Sequence, residues 1–208
     1  MTDDPASEAL EDPVEALADD PTIGPLVEEH GPLTLDPAGD LYERLVVSLV
    51  RQQVSMSAAD AIESRLREAV ELTPAAIADA DDEALRAAGL SAAKVEYVTA
   101  AAEAFAERGY DRAYFAELTD AAVVDELTDI RGVGPWTAKM FLMFALGRED
   151  VFPVEDLGIR KGMAALVDAE LTRGEMVDAA EAWRPYRSYA ALYVWQHYEG
   201  GDSDAGRD

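Results

Sequence analysis

The chain has no cysteine among its 208 residues. Disulfides, thiolate catalysis and cysteine-ligated zinc are therefore excluded. Histidine is almost absent too, with only His30 and His197, at opposite ends of the chain. Lysine is limited to Lys94, Lys139 and Lys161. No apolar run approaches a membrane span, and the N-terminus lacks the basic, apolar pattern of a signal peptide. These absences point to a soluble, intracellular protein, cytoplasmic in location. Alternating strand patterns and internal repeats are not evident.

What is present is helix signal and acid. Asp and Glu number 43 against 17 Lys and Arg, giving a formal net charge of −26 and a pI near 4.2. A chain of this length can bury a real core, as one domain or as two small lobes. Residues 1–20 are acidic and proline-punctuated, and read as a frayed end or short surface helix. Thr22–Val27 begins the fold, and His30-Gly-Pro-Leu is a turn. Leu41–Val70 carries apolar residues at helical spacing, interrupted by the polar Arg51-Gln52-Gln53. Short helices follow from Pro74 to about Ala80 and over Asp81–Ala88. Ser91 caps a longer helix that Gly109 stops near Arg108. Tyr114–Leu118 and Asp120–Leu127 precede a glycine-rich turn. Asp178–Arg184 and Tyr186–Tyr198 are the last helices, and the Gly/Asp-rich tail 199–208 is expected to be disordered. The fold class is all-α: two helical lobes over 21–198 with a cleft between them.

The most informative stretch runs from Leu127 to Met140. Gly132 and Gly134 flank Val133 in a Gly-Val-Gly-Pro turn. Glycine permits positive φ and lets an outside group approach the backbone. Pro135 suits the first helical turn, where its missing N–H costs nothing. The free amides of the turn and of the new helix then point outward together, which makes an anion site, and phosphate is the usual anion. Lys139, one turn into that helix, can add positive charge. A plain helix corner with Val133 as a core plug is the simpler reading of any isolated Gly-x-Gly. Asp156 follows Pro153 at a second helix start, where capping alone would explain it, and Glu155 is a rival for that job.

The whole string Leu127-x-x-Ile130-x-Gly132-x-Gly134-x-x-Thr137-Ala138 is similar to the helix–hairpin–helix signature of DNA-binding proteins. Followed some twenty residues later by Pro-x-x-Asp, it resembles the helix–hairpin–helix-GPD superfamily of DNA glycosylases, closest to the AlkA-like, 3-methyladenine DNA glycosylase II branch. Trp183–Trp195 looks like that branch's last helix, and Leu49–Ser55 like its Gln-rich minor-groove element. The resemblance implies Asp156 as the catalytic carboxylate. It implies that the amides of Gly132, Gly134 and Thr137 hold a phosphate. The main-chain carbonyls of Thr128, Ile130 and Val133 would hold a monovalent cation, potassium or sodium; hard cations take oxygen ligands. Trp136 and Trp195 would line a base pocket, and Gln53, with Gln52 beside it, would wedge into the gap left by a flipped base. Met140 and Leu157 stand where close relatives have tyrosines, so the pocket should be less aromatic. Relatives of fuller build carry an extra N-terminal β domain, for which this chain has no room.

The implied activity is excision of alkylated purines from duplex DNA, in base excision repair, by a monomer. A cationic purine is already a good leaving group, so one carboxylate suffices to stabilise the oxocarbenium-like sugar, and no histidine is needed nearby. Superfamily members that also cut the strand carry a lysine where this chain has Trp136, so no Schiff base is expected. Without cysteine the iron–sulfur cluster of some relatives cannot form. The alternatives are a non-catalytic helix–hairpin–helix binding module, a glycosylase for deaminated or oxidised bases, and an acidic scaffold that binds protein.

The charge looks wrong for a DNA binder, since phosphate contacts normally need Lys and Arg. Lysine depletion with acidic excess is typical of extreme halophiles, and at molar salt the repulsion is screened. Positive charge is kept in the motif region by Lys139, Lys161, Arg131, Arg148 and Arg160, with acid elsewhere.

Overall fold

The computed structural model describes residues 12–167 and 169–204, the last six by backbone alone. Every regular element in them is helical: α1 (Pro13–Ala18), α2 (Gly24–His30), α3 (Leu41–Arg51), α4 (Met56–Ala69), α5 (Pro74–Asp79), α6 (Asp82–Ala87), α7 (Ala92–Arg108), α8 (Arg112–Ala116), α9 (Asp120–Thr128), α10 (Pro135–Phe144), α11 (Leu157–Val167), α12 (Arg173–Ala180) and α13 (Arg187–Asp204), with a 3₁₀ turn at Glu181–Trp183. The expected all-α class holds, and none of these helices is long and apolar enough to cross a membrane.

Most boundaries follow local chemistry. The side chains of Asp40, Ser55, Thr73, Ser91, Asp111 and Thr119 each accept a hydrogen bond from an amide in the first turn of the helix they precede. Each such cap is worth about 1 kcal/mol. The expected helix at Tyr114–Leu118 starts earlier, at Arg112, because Asp111 takes the Tyr114 amide at 2.7 Å. Likewise α12 starts at Arg173 rather than Asp178, because Thr172 and Glu175 form a capping box. The expected disordered tail is helical as far as Asp204, the end of α13. Residues 205–208, like residues 1–11, lie outside the described residues.

The chain forms two compact units. The second spans Leu35–Asp156 and holds α3 to α10. Its core gathers Leu45 and Leu49 of α3, Val98 and Ala101 of α7, Leu127 of α9 and Phe141 of α10, all buried. Phe105, Tyr110, Phe115 and Phe141 add edge-on and tilted ring contacts, with centroids 4.9–6.5 Å apart. Such pairs contribute roughly 0.5–1.5 kcal/mol each beyond area burial.

The first unit joins both ends of the chain, up to Thr34 and from Leu157 onward. Here α11 lies against α13 at Gly162, where an added Cβ would sit 2.6 Å from Val194 Cγ1. The buried Tyr193 of α13 donates its hydroxyl to the Gly31 carbonyl (3.0 Å) and accepts from the Leu33 amide (3.2 Å). One phenol thus secures the backbone just after α2.

Candidate functional site

In the second unit, α9 and α10 are joined by residues 129–134. Ile130 and Val133 are buried and plug the turn into the core. The Val133 amide donates to the Ile130 carbonyl (3.0 Å), and the Ala138 amide to the Gly134 carbonyl (3.0 Å). The amides of Gly132 and Gly134 donate to nothing among the described residues. At the start of α10, N-cap Gly134 has no side chain to satisfy the first amides and Pro135 contributes none. The first turn of any helix leaves its amides without internal partners. A helix mouth with no side-chain cap, beside two unpaired turn amides, is suited to an external anion.

The two glycines differ in what they are for. Gly132 has φ of +89°, and a Cβ there would lie 2.1 Å from Cγ of Tyr97, so its own fold demands glycine. Gly134 has φ of −102° and open space where a Cβ would go. Nothing in the protein's own packing requires glycine at 134. The open space at that position leaves room for an outside group to approach the backbone.

Gln52 is pulled into this hairpin. Its Nε2 donates to the Gly132 carbonyl (2.9 Å) and to Oγ1 of the buried Thr137 (2.8 Å). Lys94 Nζ donates to the carbonyls of Val50 (2.5 Å) and Gln52 (2.8 Å), a cationic cap on the C-terminal end of α3. Burial holds that ammonium below its usual range. Gln53, next in line, is exposed and is the one non-glycine residue with positive φ among those described, +56°. The turn is fixed from both sides, and the residue at its tip projects in a backbone conformation that L residues rarely adopt. The two glutamines are therefore not equivalent: Gln52 holds the hairpin, and Gln53 faces outward.

Asp156 ends the second unit, immediately before α11. Its amide donates to the Pro153 carbonyl (2.9 Å), closing the turn that carries it. Its Oδ2 accepts from Nε1 of Trp136 at 2.8 Å, across 20 residues. The half-buried indole at the mouth of α10 thus orients the carboxylate. Glu155, the rival acid, is ion-paired with Lys139 through both oxygens (2.9 and 2.8 Å). The two neighbouring carboxylates have separate jobs.

Lys139, expected to add charge beside a phosphate, has its partners on the side of the 152–156 loop. Its Nζ faces Glu155 and the Phe152 carbonyl (3.1 Å), rather than the hairpin amides. Four residues along α10 from Pro135, it braces the loop that carries Asp156. Arg148 similarly donates to the carbonyls of Phe115 and Leu118 and approaches Asp120, and the exposed Arg131 pairs with Glu96. Of the five cations expected to keep positive charge in the motif region, Arg131, Lys139 and Arg148 each have an acidic partner. Met140 is only 5 % exposed, a core position of α10, whereas Leu157 at the start of α11 is 56 % exposed. Trp195, on α13 in the first unit, is half-buried.

The carbonyls of Thr128 and Val133 receive no hydrogen bond among the described residues, and that of Ile130 accepts one, from Val133. Oxygens with spare lone pairs on one turn fit a hard monovalent cation.

Sequence reasoning missed Lys94, Tyr97 and the bond from Trp136 to Asp156. The scarcity of lysine could have flagged Lys94. Nothing local marks Tyr97 as the ring beneath Gly132.

A family model described as HhH-GPD superfamily base excision DNA repair protein matches residues 46–185. The chain is 35 % identical over 162 residues to DNA-3-methyladenine glycosylase 1 of Schizosaccharomyces pombe, covering 74 % of this chain and 71 % of that protein. It is 30 % identical over 191 residues to the putative DNA-3-methyladenine glycosylase YfjP of Bacillus subtilis, covering 86 % of this chain but 66 % of that longer protein. In structure it is similar to the 3-methyladenine DNA glycosylase of Schizosaccharomyces pombe in complex with abasic DNA, with a TM-score of 0.81, 31 % identity, and coverage of 88 % and 95 % of the two chains.

Proposed function

Since the chain belongs to the HhH-GPD superfamily of base excision DNA repair proteins, we propose that it is a monofunctional DNA N-glycosylase releasing alkylated purines of the 3-methyladenine type from duplex DNA. The observation that carries this reading is the Asp156 carboxylate held by the Trp136 indole at 2.8 Å, on the helix whose mouth presents uncapped amides.

A base inside a duplex is out of reach, so it must be extruded, and a poorly paired lesion costs least to extrude. Gly132, Gly134 and Thr137 amides take a backbone phosphate, and Gln53 fills the gap in the stack. Carbonyls of Thr128, Ile130 and Val133 would hold a monovalent cation, which supplies positive charge beside the phosphate. An aromatic ring such as that of Trp136 suits a cationic purine, since stacking is worth roughly 1–3 kcal/mol per base. The C1′–N bond then breaks with both electrons going to the base, which departs neutral. The sugar becomes oxocarbenium-like, and Asp156 stabilises it. Water adds at C1′ and loses a proton, leaving an abasic site.

Strand cleavage would require an amine to attack C1′. Trp136 stands at the expected place for one, and the nearby Lys139 is held by Glu155 and the Phe152 carbonyl. Acid-paired cations together with a net charge of −26 support the halophile reading, in which binding leans on amides and stacking.

The test is incubation with methylated duplex DNA in molar potassium chloride, followed by assay of free bases and abasic sites. Wild type should release 3-methyladenine or 7-methylguanine without cutting the strand. Asp156→Asn should keep DNA binding and lose release by more than about a hundredfold. Undiminished release by that variant would refute the role of Asp156. DNA binding with no release of any alkylated, deaminated or oxidised base would leave a binding module.

A further inference from the structure

The two histidines of the chain, 167 positions apart in sequence, meet in the first unit. Ligand-competent atoms of Glu29, His30 and His197 all lie within 4.8 Å of one another. His30 ends α2, and His197 lies on α13. Nε2 of His30 is buried, has no hydrogen-bond partner among the described residues, and lies 4.0 Å from Oε2 of Glu29. A buried imidazole nitrogen beside a carboxylate, on a residue clustered with a second histidine, lacks what a shared ligand would supply. We propose that Glu29, His30 and His197 form a binding site for a transition-metal ion of the zinc class.

The donor set is two imidazoles and one carboxylate, which suits zinc, with water as a fourth ligand. Ligand atoms at about 2.0–2.2 Å from a tetrahedral ion sit about 3.4 Å apart. Closing from 4.8 Å asks for a small side-chain adjustment, and the Glu29 side chain is 61 % exposed and able to make it. The backbone is already prepared. Tyr193, one turn before His197 on α13, fixes the Gly31 carbonyl and the Leu33 amide, directly beyond His30. Two helices from opposite ends of the chain are therefore held in register at the site.

Such an ion would act as a clip. The first unit is assembled from segments separated by the whole second unit, and the chain has no cysteine with which to cross-link them. A ligand set that closes so long a loop restricts the unfolded chain most. The cluster belongs to the first unit and the Trp136–Asp156 pair to the second, and the inference does not depend on the proposed chemistry.

The experiment uses the full chain, stripped with a chelator and returned to molar potassium chloride. Zinc chloride is titrated by calorimetry, cobalt(II) by visible absorption, and thermal unfolding is followed with and without zinc. The expected result is one zinc per chain, a visible cobalt band, and a midpoint that rises with zinc but not with equal magnesium. His30→Gln and His197→Gln should each weaken binding by more than about tenfold and abolish the shift, and acidification should weaken it in wild type, because a ligating imidazole must be unprotonated. Glu29→Gln, at an exposed position, keeps the test decisive if a histidine variant fails to fold: unchanged affinity there would overturn the three-ligand set. No stoichiometric binding, or equal binding by the folded histidine variants through acidic surface groups, would overturn the proposal.

Discussion

Trp136→Phe separates two jobs that one residue holds. The substitution keeps an aromatic ring at the mouth of α10 and removes the N–H that reaches Asp156 Oδ2 at 2.8 Å. A hydrogen bond to a charged acceptor is worth about 1.5–3 kcal/mol. At about 1.4 kcal/mol per factor of ten, full use of that bond in the transition state corresponds to a loss of roughly 10- to 150-fold. Single-turnover base release from methylated duplex DNA should therefore fall by about that factor. Affinity for abasic-site DNA should change by less than about threefold, since the ring remains for stacking. Trp136→Ala should lose affinity as well. The decisive arm is a double-mutant cycle: in an Asp156→Asn background, Trp136→Phe should cost almost nothing further, because the carboxylate it orients is gone. A wild-type rate for Trp136→Phe, or independent losses that add in the double variant, would refute the idea that the indole acts through Asp156.

Four further outcomes follow from the geometry. Gly134→Ala, with open space at its Cβ, should fold normally yet bind DNA more than about tenfold more weakly in a fluorescence-anisotropy titration, because the methyl occupies the phosphate's place. Gly132→Ala meets both a φ of +89° and the Tyr97 ring, and should lose more than about 2 kcal/mol, a fall of roughly 4 °C or more in Tm by calorimetry. Lys139→Gln leaves Glu155 without its ammonium and should lower Tm by roughly 2–6 °C and slow base release, while DNA affinity and its salt slope stay as in wild type; a reduced slope would return Lys139 to the phosphate. Hydrogen bonds from Tyr110 and Arg108 hold the Glu126 carboxyl below its ordinary 4.5, so its stabilising contribution is complete above that value and is lost as pH falls through the lower, folded-state value; Glu126→Gln should flatten the stability–pH curve there, measured by urea unfolding from pH 7 to 3.

Local chemistry was legible in the sequence, and long-range pairing was not. Ser91 and Gly109 bound α7 as their cap chemistry dictates, and the Gly-Val-Gly-Pro turn joins two helices as read. The Thr172-x-x-Glu175 capping box is equally local chemistry, and it sets the start of α12 at Arg173 rather than at Asp178. Lys139 shows a harder limit. Its position one turn into α10 is a sequence fact, but which side of the helix meets a carboxylate depends on where the loop 152–156 returns. Gln52 and Gln53 are adjacent and chemically identical, and only the path of the chain after α3 gives one to the hairpin and the other to solvent. The histidines at opposite ends of the chain meet for the same reason.

The charge of the chain takes on a specific meaning once the partners are known. Arg131, Lys139 and Arg148 in the motif region each have an acidic partner, in Glu96, Glu155 and Asp120. In the proposed DNA-bound reading, a cation already paired has less charge to offer a phosphate, so these three would add little electrostatic affinity. What the hairpin offers instead is neutral: amides of Gly132 and Gly134 with no partner among the described residues, and an uncapped helix mouth. Hydrogen bonds of this kind act at contact and are less weakened by screening than attraction between exposed charges. On the proposed reading, an acidic protein with such a hairpin would give up long-range attraction to DNA and keep short-range recognition. That division suits a medium in which salt has already removed the long-range part.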